Sequence, residues 1–240
     1  MVAARHVRSL FFLCAASMAA PAMAAESAWQ RISSEDGIDV DVRSVGDSPF
    51  PEFRGRVVVA ASVLEVAAVL EDIDRVCEWT QRCAASKAVR RLTETEVVFY
   101  NRTEAPWPAS DRDAVLAATV TGLPEGRDVW MRIRTSPFPF APVAGTVRMP
   151  FTRGHYRLTQ AERGTVVEFQ LQTDIGGWVP VWMVKFLQKR VPHDTLAGLR
   201  ARTVAWRGRY AERIQRWQQA AAFVQPPAAL GLPVPATRTQ

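Results

Sequence analysis

Side chains able to do chemistry are few and scattered in this chain. Of its three histidines, His6, His155 and His193, the last two lie far apart in sequence. His155 falls in a strand-like stretch and His193 directly follows Pro192. An isolated imidazole needs a partner to act as a base, so structural or surface roles suit both. No Gly-x-Ser-x-Gly, phosphate loop or metal triad occurs. The densest charged cluster is Asp111-Arg112-Asp113. Adjacent residues of a strand point to opposite faces, so this run reads as strand-edge pairing and turn capping rather than a catalytic pair. Neither catalytic residues, a metal nor a cofactor is expected.

Two cysteines, Cys77 and Cys83, lie beyond the N-terminal segment. No histidine is near them and their spacing fits no familiar zinc pattern. They read as a disulfide or as two buried thiols, depending on the compartment. The first residues bear on that choice. Arg5, His6 and Arg8 precede an apolar run over 10–20, and Ala22-Met23-Ala24 closes it with the small-x-small pattern of a cleavage site. Residues 1–24 are therefore expected to be a signal peptide, which favours the disulfide. Cys14 sits inside the run behind Leu13, without the small preceding residue of a lipoprotein site. No later stretch reaches the ~20 apolar residues of a membrane span. The mature chain is expected to be soluble and periplasmic or secreted. Its net charge falls from +6 to +4 when Arg5 and Arg8 are removed. For an exported protein that excess suits transient contact with an anionic membrane surface, not nucleic acid.

The elements that position everything else are strands followed by a long helix. With 48% hydrophobic and 22% charged residues the composition is globular, and residues 25–223 read as one domain, expected to be a monomer. Residues 29–32 leave room for a short helix or turn, and period-two alternation then marks strands at 38–42 and 53–60. Ser62 and Glu65 form a capping box for a helix carrying Val63, Val66, Ala67, Leu70 and Ile73 on one face. Further strands are expected at 88–92, 96–103, 112–121, 127–135, 146–149, 155–160 and 165–173, with the spacing of an antiparallel meander. One set of alternate positions is apolar, including Phe99, Leu116, Ala118, Met131, Ile133, Phe169 and Leu171. The opposite set is mostly polar or charged: Arg102, Arg132, Arg134, Glu168 and Gln170. Gly176-Gly177-Trp178-Val179-Pro180 then opens a helix to about Trp217, kinked by Pro192, with Val184, Leu187, Val191, Thr195 and Leu199 on one face. Trp182 and Phe186 make its first half apolar around much of its circumference, so it needs cover on several sides. A curved sheet gripping such a helix either packs solid or leaves a tunnel. Residues 224–240 are Pro- and Ala-rich and read as a disordered tail.

In this order the motifs resemble those of the START lipid-transfer domains, within the helix-grip (Bet v 1-like) superfamily. The matching pieces are Trp29 with Gly37-Ile38-Asp39-Val40, then Asp72-Ile73-Asp74 and Trp79 at the end of the capped helix. Ala105-Pro106-Trp107-Pro108 with Ser110-Asp111-Arg112-Asp113 follow, then Thr146-Val147-Arg148, and Asp174-Ile175-Gly176-Gly177-Trp178-Val179-Pro180 before the helix. The Trp-Pro-x-Ser-Asp-Arg-Asp run and the two cysteines look most like a bacterial, exported branch. The resemblance covers about residues 27–216. It implies an α+β helix-grip fold, a curved antiparallel sheet around a long C-terminal helix, with a hydrophobic tunnel for one lipid. It also implies that loop 136–145 gates the tunnel mouth. Sterol carriers of the family place an acid and an arginine inside the tunnel, and Asn101 and Ala118 occupy those positions here.

The combined reading is a non-catalytic periplasmic lipid-binding or lipid-transfer protein. Its ligand is expected against Phe99, Asn101, Leu116, Ala118, Met131 and Ile133, against Phe169 and Leu171, and against Val184, Leu187, Val191, Thr195 and Leu199 of the helix. Phe138 and Phe140, bracketed by Pro137, Pro139 and Pro142, either gate the tunnel or plug the core. Arg202, Arg209, Arg213 and Arg216 form a basic stripe, a membrane tether or an ordinary solvated face. The rival readings are a cyclase- or hydrolase-like helix-grip enzyme, with Asn101, Tyr100 or Tyr156 as its polar groups, and an envelope interaction module with a filled core.

Overall fold

The computed structural model describes residues 27–46, 48, 50–123, 125–179 and 181–224, without the side chains of 181–188 and 221–224. The expected signal peptide (1–24), nearly all of the expected tail, and the helix side chains of Trp182, Val184, Phe186 and Leu187 therefore lie outside the described residues.

Strict alternation in the sequence becomes one ten-stranded sheet. Its strands are β1 (Gln30–Glu35), β2 (Ile38–Arg43), β3 (Glu52–Val59), β4 (Cys83–Arg91), β5 (Glu96–Thr103), β6 (Asp111–Thr121), β7 (Asp128–Thr135), β8 (Thr146–Arg148), β9 (Phe151–Ala161) and β10 (Gly164–Asp174). The order is β1-β2-β3-β10-β9-β7-β6-β5-β4, antiparallel throughout, while β8 pairs parallel with β6 off this path. Register brings the apolar positions onto one face. Phe99 lies opposite Leu116, Ala118 opposite Ile133, Met131 opposite Tyr156, and Tyr156 opposite Phe169. The capping box starts helix α1 (Val63–Glu71): the Glu65 carboxylate accepts from the Ser62 N–H at 2.8 Å, while the Ser62 hydroxyl accepts from the Glu65 N–H.

Helix α2 (Val181–Ala205) crosses the inner face and meets β2, β3 and α1. Two glycines set how close it comes. A Cβ at Gly55 of β3 would lie 2.6 Å from Leu196 Cδ1 and 3.3 Å from Pro192 Cβ. On the helix itself, a Cβ at Gly198 would collide with the Trp79 carbonyl oxygen. Leu196 and Leu199 beside these contacts are fully buried. Trp79 follows a 3-10 turn, Ile73–Glu78, which a Cys77–Cys83 disulfide ties to the start of β4.

Several elements differ from the sequence expectation. Residues 30–35 form an edge strand where a short helix or turn was expected; a register shift between Arg31 and Ser33 breaks the alternation that would have marked it. β4 begins at Cys83, ahead of the expected 88, and β9 at Phe151, ahead of the expected 155. The expected single helix to Trp217 is two. The chain stays helical across Pro192, whose ring lies against the gap at Gly55, and α2 ends instead before Gly208 at φ +80°. That left-handed conformation is a helix stop that suits glycine. Helix α3 (Ala211–Val224) follows, held by a 2.7 Å hydrogen bond from the Tyr210 hydroxyl to Asp72.

Gly198→Ala should force α2 away from the turn and cost about 2 kcal/mol, as overpacking does in a close-packed core. Thermal unfolding should show a fall of about 4–8 °C for a chain of this size.

Candidate functional site

The inner face does not pack solid against α2. Toward one end of the sheet they enclose a cavity of about 290 Å³, close to the lower end of small-molecule sites at about 300 Å³. Phe53, Phe99, Leu116, Met131, Tyr156 and Phe169 supply its apolar wall from the sheet. Phe53 meets Phe169 edge-on at 5.7 Å and Tyr156 stacks on Phe169 at 4.4 Å, which fixes the shape of that wall. Val76, Trp79 and Thr80 close it from the disulfide-tied turn, and Val191 and Thr195 from α2. The rim is made by the loops at one end of the strands, with Phe50 and Pro51 before β3, Glu104–Pro106 after β5, Met149 before β9 and Ile175 after β10.

Nine expected positions line this cavity: Phe99, Asn101, Leu116, Met131, Ile133, Phe169, Leu171, Val191 and Thr195. Ala118 and Leu199 do not. Both are fully buried in the core cluster, where α1 packs across β7, β9 and β10 and fills the space below the cavity. Phe138 and Phe140 are a clearer correction. They pack with Val98, Tyr100 and Val115 in a separate cluster on the outer face of the sheet, with Phe140 stacked on Tyr100 at 4.8 Å. Those outward positions of β5 and β6 are themselves apolar and need cover, and loop 136–145 supplies it. The loop is a patch over the outer face, and its phenylalanines do not stand at the cavity. Tyr100 likewise leaves the set of inward polar groups.

Polar groups gather toward the rim. The Asn101 amide donates to the Ala85 carbonyl at 3.5 Å and accepts from the Thr103 hydroxyl at 3.3 Å. Thr152 and Thr173 hydroxyls lie 2.8 Å apart. Burial pushes the Tyr156 hydroxyl well above its ordinary pKa, so it stays protonated and is no base at neutral pH.

Arg112, expected to serve in strand-edge pairing, lines the cavity too. Strand alternation sends Asp111 and Asp113 outward, where Arg102 pairs with Asp111 at 2.7 Å and Arg148 with Asp113 at 2.8 Å. The Arg102 hydrogen bond, with the Ala105 N–H, holds Asp111 below the usual carboxylate range. Arg112 points inward and is 7% exposed. Its guanidinium donates to the carbonyls of Ser110, Ile175, Gly176 and Trp178, the last three at 3.3 Å. Burial lowers its pKa from the ordinary arginine value. The signal was legible: Arg112 has the same strand parity as Leu116, a lone cation on an apolar face.

Two tryptophans stand out on the rim loops, Trp107 at 89% exposure and Trp178 at 73%. The basic stripe is partly engaged within the fold. Arg202 donates to the Glu78 carbonyl and covers Trp206, Arg209 also covers Trp206, and Arg213 lies over Tyr210.

Comparison with known proteins gives the same architecture. The START domain family model matches residues 10–204. The chain is 28% identical over 198 residues to an uncharacterized protein of Pseudomonas aeruginosa, covering 82% of this chain and 97% of that one. Among solved structures it is similar to a STAR-related lipid transfer protein fragment from Xanthomonas axonopodis, 32% identical with a TM-score of 0.67, covering 73% of this chain and 98% of that one. Human StAR-related lipid transfer protein 5 shares the fold at a TM-score of 0.64 and 22% identity, covering 74% and 87% of the two chains.

The outer-face packing of Phe138 and Phe140 has a measurable consequence. Replacing both with serine should cost about 2–4 kcal/mol, less than two fully buried phenylalanines because each is only half-buried. Chemical denaturation should register that loss, while binding of a hydrophobic probe under folding conditions should be unchanged.

Proposed function

The chain belongs to the START domain family, and from that premise we propose that it is an exported, non-catalytic lipid carrier that holds one hydrophobic ligand between the sheet and α2. The observation that carries this reading is the apolar cavity beneath the rim loops. Each ligand methylene moved there from water contributes about 0.8 kcal/mol, so a single acyl chain supplies useful affinity without covalent chemistry. Among the described residues the titratable groups on the lining are Glu104, Arg112 and Tyr156, a poor set for acid–base work near neutral pH. Export is supported by the pattern over 1–24 and by the Cys77–Cys83 disulfide, which suits an oxidising compartment.

Transfer requires the rim to meet a membrane. Trp107 and Trp178 suit that task, since an indole is apolar in body with one polar N–H and favours the boundary between water and lipid. The basic stripe is the weaker candidate, because Arg202, Arg209 and Arg213 already lie against protein groups.

Native mass spectrometry of protein purified without detergent should find a lipid-sized adduct at one per chain. A protein that carries none and takes up no fluorescent fatty chain would overturn the reading. Trp107→Ala/Trp178→Ala should keep the adduct and slow transfer between vesicles about tenfold, equivalent to ~1.4 kcal/mol in the barrier. Transfer at the original rate by that variant would remove the tryptophans from the docking step.

A further inference from the structure

Most half-buried arginines on this sheet answer a carboxylate. Arg54 meets Asp41 at 2.9 Å, Arg102 meets Asp111 and Arg148 meets Asp113. Arg112 is more deeply buried than any of these, yet among the described residues no carboxylate lies in ion-pair contact with it, and Asp111 offers only a through-space attraction weaker than the cost of burial. Asp111 beside it is turned to the other face and held by Arg102. A buried cation without a counter-charge is costly, and carbonyl dipoles compensate it only in part. Three of its four carbonyl contacts are 3.3 Å long, beyond the usual 2.7–3.2 Å, so re-aiming the group loses little. A guanidinium also carries five N–H groups, which leaves a donor to spare.

The surroundings give this charge a direction. Thr103 lies directly across from Arg112 in β5, and Leu116 is four residues along the same face of β6. That sets the backbone of Arg112 about 13 Å from that of Leu116 along an extended strand, with the guanidinium reaching the carbonyls of Ile175, Gly176 and Trp178 at the rim. Among the described residues the one carboxylate on the lining, Glu104, is exposed to solvent, where its charge is screened.

We propose that the cavity is built for an anionic amphiphile, its carboxylate or phosphate head bound by Arg112 at the rim and its tail against Leu116, Met131 and Phe169. This rests on the carrier reading and names the ligand class for it. An anion supplies the missing counter-charge, and charge-assisted bonds to a planar guanidinium are short and strong. The tail alone would give affinity without preference among head groups. Arg112 gives the preference.

The test uses the full mature chain, stripped of co-purified lipid, and four probes: dodecanoate, dodecyl phosphate, 1-dodecanol and inorganic phosphate. Calorimetry or displacement of a fluorescent fatty chain should show at least one of the two tailed anions binding tenfold or more tighter than the alcohol. Which anion is preferred separates a fatty-acid head from a phosphate head. Inorganic phosphate should bind far more weakly than either. Equal affinity for dodecanol and both anions would overturn the proposal and leave the carrier reading standing. No binding by any tailed probe would overturn both. Inorganic phosphate binding as tightly as dodecyl phosphate would also overturn it, because the site would then ignore the tail. Arg112→Gln should lower affinity for the anions about tenfold and leave dodecanol unchanged, with Arg112→Lys restoring part of the loss. Arg112 also ties down residues 175–178, so if the glutamine variant unfolds, the wild-type ratio of anion to alcohol decides.

Discussion

Everything about this cavity depends on where α2 touches the rest of the protein. Gly55 lets Leu196 and Pro192 press onto β3, and Gly198 lets the helix backbone approach the Trp79 carbonyl. Both contacts lie on the middle of the helix and allow no side chain between the partners. Held there, the helix is close enough to bury Leu196 and Leu199 completely, yet the strands on the opposite side of the inner face remain beyond its reach. Below the cavity, α1 fills the gap. Toward the rim loops the described residues leave the space open.

Polarity within that space follows from the strand period. On β6 one face reads Arg112, Ala114, Leu116 and Ala118, and the other Asp111, Asp113, Val115 and Ala117. Charges on the outer face find partners on neighbouring strands and on β8, where water and opposite charges are at hand. The charge on the inner face of β6, Arg112, is hydrogen-bonded among the described residues to the carbonyls of two loops. This asymmetry makes the rim chemically distinct from the apolar wall, although both are built from one sheet face.

Loop 136–145 shows how an apolar motif can mislead about its role. Its phenylalanines cover the outward Val98, Tyr100 and Val115, and Arg148 reaches from the following strand to Asp113 and lies 6.0 Å from the Phe140 ring. The loop therefore stabilises the same strands that form the cavity wall, from behind. Aromatic residues between prolines tell that a loop is packed. They do not tell on which side of a sheet it lies, because that depends on the path of the chain after β7.

Much of the fold was legible from local pattern alone. Period-two alternation needs only neighbours in sequence, so β5 was read with its observed limits, β6, β7 and β10 to within about a residue, and seven inward residues together with them. The capping box of Ser62 and Glu65 and the Cys77–Cys83 pair are likewise short-range features. Other facts needed three dimensions. Ala118 has the right parity but the wrong depth, because it lies in the filled part of the core and not at the cavity. Phe138 and Phe140 have the right chemistry on the wrong face. The long helix ends at Ala205, ahead of the left-handed Gly208, and does not run on to Trp217, while tertiary contact at Gly55 accommodates the proline within it. Arg112 was visible as a cation of inward parity, but its isolation from carboxylates is a property of what the fold places around it. Alternation decides which way a side chain points; only the packed structure decides what it meets.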